Sequence, residues 1–216
     1  MIKTFAIYCS GNASRVLKFY SYQNNIYKYK PSKIIYDGNK INIIEKLKNI
    51  FHEDLILLET SKLNQNEIKK IHNTTSEFIH NTLNQNEIEF LLCFGDKILK
   101  KELINAYPNK LINFHPSILP SFKGLNAIDQ ALKFGAIFLG NTAHYINENI
   151  DSGKIIAQTT MLKEEFISYE DVLELQFPMI KIILRDILNY KISNNEILNE
   201  VSKRKTQFLI SKKCQI

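Results

Sequence analysis

No basic-then-apolar leader opens the chain, and no apolar run approaches the roughly 20 residues that a bilayer crossing needs. The expectation is a cytoplasmic protein with no membrane partner. Cysteine is scarce, with three in 216 residues, and Cys9, Cys93 and Cys214 make no CxxC pair. Cys9 and Cys93 fall in apolar, strand-like runs where a thiol behaves as a small hydrophobe. That points to a reducing compartment and away from a metal site. Concentrated basic charge is missing too. The net charge of +6 and pI near 9.0 come from lysines scattered among Asn and Ile along the whole chain. No element therefore reads as a nucleic-acid surface, although a basic protein attracts anionic small molecules over long range.

At 44% hydrophobic and 23% charged, the chain is long enough for one ordinary core. Short apolar runs alternate with longer amphipathic ones. Thr4 to Cys9, Lys33 to Tyr36, Leu55 to Leu58, Phe90 to Phe94 and Leu111 to His115 read as strands with helical patterns between them. This βαβ rhythm predicts an α/β fold with a doubly wound, mostly parallel sheet. The longest helical pattern, Asn64 to Thr82, places Ile68, Ile71, Phe78 and Ile79 on one face with Lys and Asn elsewhere. A short helix over Asn126 to Phe134 should precede two strands, Asn141 to Ile146 and Lys154 to Thr160, close enough to pair as a C-terminal hairpin. A long helix, Tyr169 to Leu188, should be kinked by Pro178 near Glu174 or Leu175. Residues 1–190 are expected to form the catalytic domain. Residues 191–216 read as a polar, basic extension with one short strand at most and a mobile end.

Three stretches carry candidate chemistry. Asn113 and His115 stand two apart on a strand, so both side chains leave one face of the sheet. Pro116 and Pro120 keep His115 at a strand end, where α/β sheets place their chemistry. Asp151, in the turn Asn149 to Gly153, supplies a loop carboxylate that can hold an imidazole cationic or relay a proton. The first strand runs into Ser10-Gly11-Asn12-Ala13-Ser14-Arg15 ahead of a helix. This is either a cradle for a phosphate or carboxylate or a plain cap made by Ser10 or Asn12. Thr142 and His144 form another same-face pair, readable as packed, hydrogen-bonded support. Gly95 opens a turn after the fourth strand that can offer backbone groups to a flat heteroaromatic ligand.

Together these residues resemble the folate-dependent formyltransferases, in particular their glycinamide ribonucleotide branch. The resemblance spans Lys3 to Leu188. It rests on Asn113 to Pro120 as Asn-x-His-Pro-Ser-x-Leu-Pro, on Gly124, on Gly140 to His144 as Gly-x-Thr-x-His, and on Asp151-Ser152-Gly153. It implies a catalytic triad of Asn113, His115 and Asp151, with His144, Thr142 and Gly124 in support. It also implies 10-formyltetrahydrofolate as formyl donor, its pterin against Asp96, Lys97, Ile98 and Leu99 and near Asn113 and the turn before Asp151. Asn12, Ala13, Ser14, Arg15 and Pro116 would bind an amine acceptor on a phosphorylated sugar. Glycinamide ribonucleotide is the first such acceptor and a nucleotide-linked amino sugar the second. No metal is implied, and the enzyme would be a monomer or homodimer. The chain departs from the family pattern at Ala13, where Gly is usual, and at Arg15, where Asn is usual. Near Gln176 it offers Phe177 where the family has a Glu that contacts the acceptor. A deformylase, which uses water, would carry a further N-terminal domain that has no room before Thr4. A non-catalytic phosphate- or nucleotide-binding module is the alternative of another class.

Overall fold

A computed structural model of the protein describes residues 1–22, 25–58, 68–165, 167–202 and, as backbone, 207–210. Two compact units divide it: an N-terminal unit over Lys3–Leu111 and a C-terminal unit over Ile112–Ile216 with Met1–Ile2.

The N-terminal unit runs β1 (Phe5–Cys9), α1 (Ser14–Ser21), α2 (Asn25–Lys28), β2 (Lys33–Tyr36), α3 (Ile41–Phe51), β3 (Leu55–Leu57), α4 (Ile68–Gln85), β4 (Phe90–Phe94) and α5 (Lys101–Ala106). Its strands are all parallel, in the order β3-β2-β1-β4. That is the order of one half of a doubly wound sheet. Every residue of β1 and β4 is buried, as befits strands covered on both faces. Helix α3 buries Ile43, Leu47 and Phe51 at four-residue spacing. Tyr20 of α1 packs edge-on against Phe19 and Phe51, each ring centroid 5.1 Å away. Buried Cys9 and Cys93 have thiol pKa values pushed up by desolvation, so they behave as the inert hydrophobes predicted. Cys214 and the start of the predicted Asn64 helix lie outside the described residues.

The C-terminal unit continues β5 (Leu111–His115) with α6 (Ala127–Phe134), β6 (Phe138–Tyr145), β7 (Ile155–Leu162), α7 (Tyr169–Glu174), α8 (Gln176–Asp186), α9 (Asn194–Ser202) and β8 (Gln207–Ile210). Here the pairing is antiparallel throughout, β5-β6-β7-β8, with β6 and β7 as the predicted hairpin. The long helix does break at Leu175. Pro178 has no N–H to donate to the carbonyl four residues earlier, so the α-helical ladder cannot run through it. All residues from Gln176 to Leu184 are buried, which makes α8 a core helix. Helix α9 lies where one strand at most was expected. The Lys181 ammonium and the Glu200 carboxylate meet at 3.3 Å with side chains only 3% and 5% exposed, joining α9 to α8. Among the described residues no helix is long and apolar enough to cross a membrane.

Candidate active site

Strands β5 and β6 pair so that Asn113 faces His144 and His115 faces Thr142. Alternation along each strand sends all four side chains to the same face of the ladder. The chain then turns through Asn147 to Gly153, where the N–H of Asn149 and the hydroxyl of Ser152 donate to Asn147 Oδ1 at 3.1 and 2.9 Å. Gly153 is required there: a Cβ would fall 1.6 Å from the carbonyl oxygen of Tyr145. This tight crossing returns Asp151 to the two histidines. Its Oδ2 lies 3.3 Å from His115 Nδ1, and its Oδ1 lies 3.6 Å from His144 Nε2. Gly124, at φ +80°, donates its N–H to Asp151 Oδ2 at 2.8 Å. The fold thus brings together Asn113, His115, His144, Asp151 and Gly124.

The hydrogen bonds set the protonation chemistry. His115 Nε2 is 2.8 Å from the carbonyl oxygen of Phe122, so both ring nitrogens face acceptors. A neutral ring satisfies one of them and an imidazolium satisfies both. Burial nevertheless dominates and lowers the His115 pKa, the neighbouring His144 ring adds to this, and the Phe122 carbonyl and Asp151 oppose it. Burial thus works against the cationic form that Asp151 favours. For Asp151, burial is the largest single influence and would raise the pKa. The His144 ring, the Gly124 N–H and His115 together outweigh it, and the carboxylate titrates below its usual range. His144 Nδ1 donates to its neighbour's carbonyl, Tyr145 O, at 3.0 Å. Its Nε2, which also faces Asp151 Oδ1, meets the Asn113 amide nitrogen at 3.2 Å. That contact fixes which way the Asn113 amide points.

Thr142 anchors the loop after His115. Its hydroxyl donates to Ser117 O at 2.7 Å and accepts from Leu119 N–H at 3.0 Å and Gln158 Nε2 at 2.9 Å. Pro116 opens this loop half-buried. A cavity of about 240 Å³ lies along the same loop, lined by Pro116, Ser117, Phe122, Phe134, Gly140 and Val172 among others. Its lining includes none of Asn113, His115 and Asp151, so it neighbours the polar cluster without being the reaction site. Phe177 is 1% exposed within the core, and Gln176 donates to Asn141 Oδ1 at 2.6 Å. Neither is placed to contact an acceptor.

The remaining candidates belong to the N-terminal unit. At the C-terminal end of β1, Ala13 holds the left-handed conformation, φ 47°, and caps α1 without a side-chain bond. Asn12 Oδ1 accepts from Ser14 N–H at 3.3 Å, a weak form of the capping alternative. Arg15 is half-buried. Its guanidinium lies 5.3 Å from the Phe94 ring centroid and donates to Phe94 O at 2.9 Å, and desolvation brings its pKa down to about 10. The Gly95 turn after β4 is tied to β1 and β2 by side chains that the sequence reading did not single out. The Tyr8 hydroxyl donates to Asp37 Oδ2 at 2.6 Å, and Lys97 Nζ lies 2.6 Å from Asp96 Oδ1 and 3.7 Å from Asp37 Oδ2. Ser10 Oγ accepts from Asp96 N–H at 3.2 Å. Asp37 follows a parallel strand at its C-terminal end, and that position was its only signal in the sequence. Phe122 acts through a backbone carbonyl, which leaves no signal of residue type.

Comparison with known proteins bears on the same residues. The chain is 29% identical over 175 residues to phosphoribosylglycinamide formyltransferase of Bacillus subtilis strain 168, covering 79% of this chain and 85% of that protein. It is 39% identical over 77 residues to formyltetrahydrofolate deformylase of Escherichia coli K12, over 36% of this chain and 28% of the relative. The crystal structure of phosphoribosylglycinamide formyltransferase from Bacillus halodurans is similar at TM-score 0.63 and 26% identity, covering 93% of this chain and 96% of that one. Glycinamide ribonucleotide transformylase 1 from Symbiobacterium toebii, at 20% identity and TM-score 0.72, shares the fold. The family model described as formyl transferase matches residues 58–170, more than half of the chain and the stretch that holds Asn113, His115, His144 and Asp151. This protein belongs to the formyl transferase family.

Proposed function

We propose that the protein moves the formyl group of 10-formyltetrahydrofolate to the primary amine of glycinamide ribonucleotide, with Asn113, His115 and Asp151 as the catalytic residues. The observation that carries this reading is the convergence of an amide, an imidazole and a carboxylate on one ladder face, with His115 Nδ1 3.3 Å from Asp151 Oδ2. The acceptor follows from the likeness to a phosphoribosylglycinamide formyltransferase over 79% of the chain.

The amine nitrogen attacks the formyl carbon, and the carbonyl π electrons move to oxygen. Asn113 donates an N–H to that oxygen, and His115, engaged at both nitrogens by Phe122 O and Asp151 Oδ2, adds the positive charge of its ring as it takes up a proton. Preorganised donors of this kind are worth roughly 3 kcal/mol of barrier each. Burial lowers the His115 pKa; negative charge growing on the formyl oxygen opposes that, because an anion beside an imidazole favours its charged form. Asp151, already ionised, takes the proton released by the attacking amine, through water. The bond from carbon to the folate N10 then breaks, N10 receives a proton, and tetrahydrofolate leaves. His144 holds the Asn113 amide in its donating orientation. Gly124 keeps Asp151 in place, and Thr142 braces the loop that begins at Pro116.

The acceptor's phosphate is assigned to the turn Asn12, Ala13 and Ser14 ahead of α1. Arg15, its guanidinium held against Phe94, adds a positive charge at the start of α1. The pterin is assigned to Asp96, Lys97, Ile98 and Leu99. The test is tetrahydrofolate release from 10-formyltetrahydrofolate with glycinamide ribonucleotide present, alongside mass detection of a formyl group on the acceptor. Release no faster than with water alone would overturn the assignment, and formylation of a nucleotide-linked amino sugar instead would overturn the acceptor.

A further inference from the structure

Three backbone N–H groups of the 95–100 segment between β4 and α5 donate to side chains of other elements: Asp96 to Ser10, Ile98 to His72 Nδ1 at 3.2 Å, and Lys100 to Ser76 Oγ at 2.9 Å. His72 and Ser76 stand four apart on α4, so they share one face of the helix. His80, a further four residues on, meets the Tyr107 ring edge-on at 5.9 Å. One face of α4 thus serves as a brace for the loop after β4, and the contacts made by His72 and Ser76 fall within it.

The two clamps differ in chemistry. A serine hydroxyl accepts a hydrogen bond at any ordinary pH, whereas His72 Nδ1 accepts only while it carries no proton. An imidazolium would aim an N–H at the N–H of Ile98. Burial is the main influence holding the His72 pKa down, Lys100 and Lys97 on the loop add to it, and Asp96 opposes them.

We propose that His72 and Ser76 are positioning residues for the formyl donor, clamping the 95–100 loop in the shape that receives the pterin, and that the His72 clamp opens when its ring is protonated. This rests on the reading that Asp96 to Leu99 hold the donor. The clamp works through the loop's backbone, so it governs affinity for the donor and leaves the chemical step at Asn113, His115 and Asp151 unaltered.

The test uses 10-formyl-5,8-dideazafolate as donor, because without a nucleophilic N5 it cannot cyclise in acid. His72→Ala and Ser76→Ala should each raise the donor KM about fivefold, the loss expected for one hydrogen bond. The kcat at saturating donor and the acceptor KM should stay unchanged. In the wild type the donor KM should hold steady through neutral pH and rise as pH falls below the ordinary histidine value, because the His72 pKa is held down. His72→Asn places a non-titrating oxygen near the position of Nδ1; it should keep the wild-type KM at pH 8 and lose that rise. Backbone amide exchange over 96–100 in the unliganded protein should quicken in His72→Ala. A donor KM unmoved by His72→Ala, or one in His72→Asn that climbs with acid as the wild type's does, would overturn the clamp while wild-type turnover upheld the formyltransferase reading. Absence of turnover and of donor binding in the wild type would instead overturn that reading and the clamp with it.

Discussion

At His115 two acceptors, Phe122 O and Asp151 Oδ2, flank a ring that burial prefers neutral, and this sets a sign for the pH dependence of stability. The folded pKa is lowered, so below the ordinary histidine value the unfolded chain binds more protons than the folded one, and stability drains away as pH falls through that window. Asp151 adds a second loss at lower pH. Its folded pKa is depressed, so its contribution is complete above the ordinary carboxylate value and disappears as pH falls through the folded one. Thermal melts between about pH 7 and 5 should show Tm falling less steeply in His115→Gln than in the wild type. Equal slopes would mean that His115 is not the group responsible. For catalysis, Asn113→Ala and His115→Ala should each lower kcat by roughly 10²–10³ with modest changes in either KM, as expected when electrostatic stabilisation of a developing oxyanion is removed. Single-turnover formyl transfer measures this directly. An unchanged single-turnover rate in either variant would remove that residue from the mechanism.

Among the elements, β2, β4 and β5 begin and end where their apolar runs do, because the period of side-chain burial is written into the residues themselves. The break at Leu175 was legible for a similar reason, since proline's missing N–H is a local fact. Helix α9 was not legible. Its segment reads as polar, and Glu200 is buried beside Lys181, nineteen residues earlier on another helix. His72 was missed in the same way. The helical pattern singled out only the apolar face of α4, and only the position of the Ile98 N–H gives the imidazole something to hold. Caps are easier to test. Ser168 begins α7 with a reciprocal capping box, its hydroxyl accepting from Asp171 N–H at 3.1 Å and the Asp171 carboxylate accepting from Ser168 N–H at 2.9 Å. Ser168→Ala should cost about 1 kcal/mol in urea unfolding, and a loss under about 0.3 kcal/mol would show that the packing of Val172 alone holds the helix start.

For the molecule as a whole, one buried ion pair ties two helices together, Lys181 of α8 and Glu200 of α9. Removing the carboxylate in Glu200→Ala strands the Lys181 ammonium away from water and should destabilise the fold by roughly 3–5 kcal/mol. The double variant Lys181→Met/Glu200→Leu should recover most of that loss in the same denaturation experiment. If the single and double variants unfold alike, the ion pair is not what attaches α9. Of the candidate site, Asn113 and His115 could be read from spacing because a strand presents every second residue to one face, whereas Asp151 joined them only through the family resemblance, since spacing alone does not bring a loop acid back to the strand. The Phe122 carbonyl and the Arg15 contact with Phe94 depend on where the backbone goes, and no residue type announces that.

The β5–β6 register has a further consequence for how this chain can vary. Asn113 sits across from His144, and His115 from Thr142. One residue gained or lost inside β6 before Thr142 would preserve a ladder of backbone bonds yet turn the imidazole and the hydroxyl to the opposite side. Such a protein would melt cooperatively and transfer nothing. Length changes compatible with activity are therefore confined to stretches outside β5, β6 and the crossing at Gly153, which gives a rule for sorting working homologues from silent ones by their gaps.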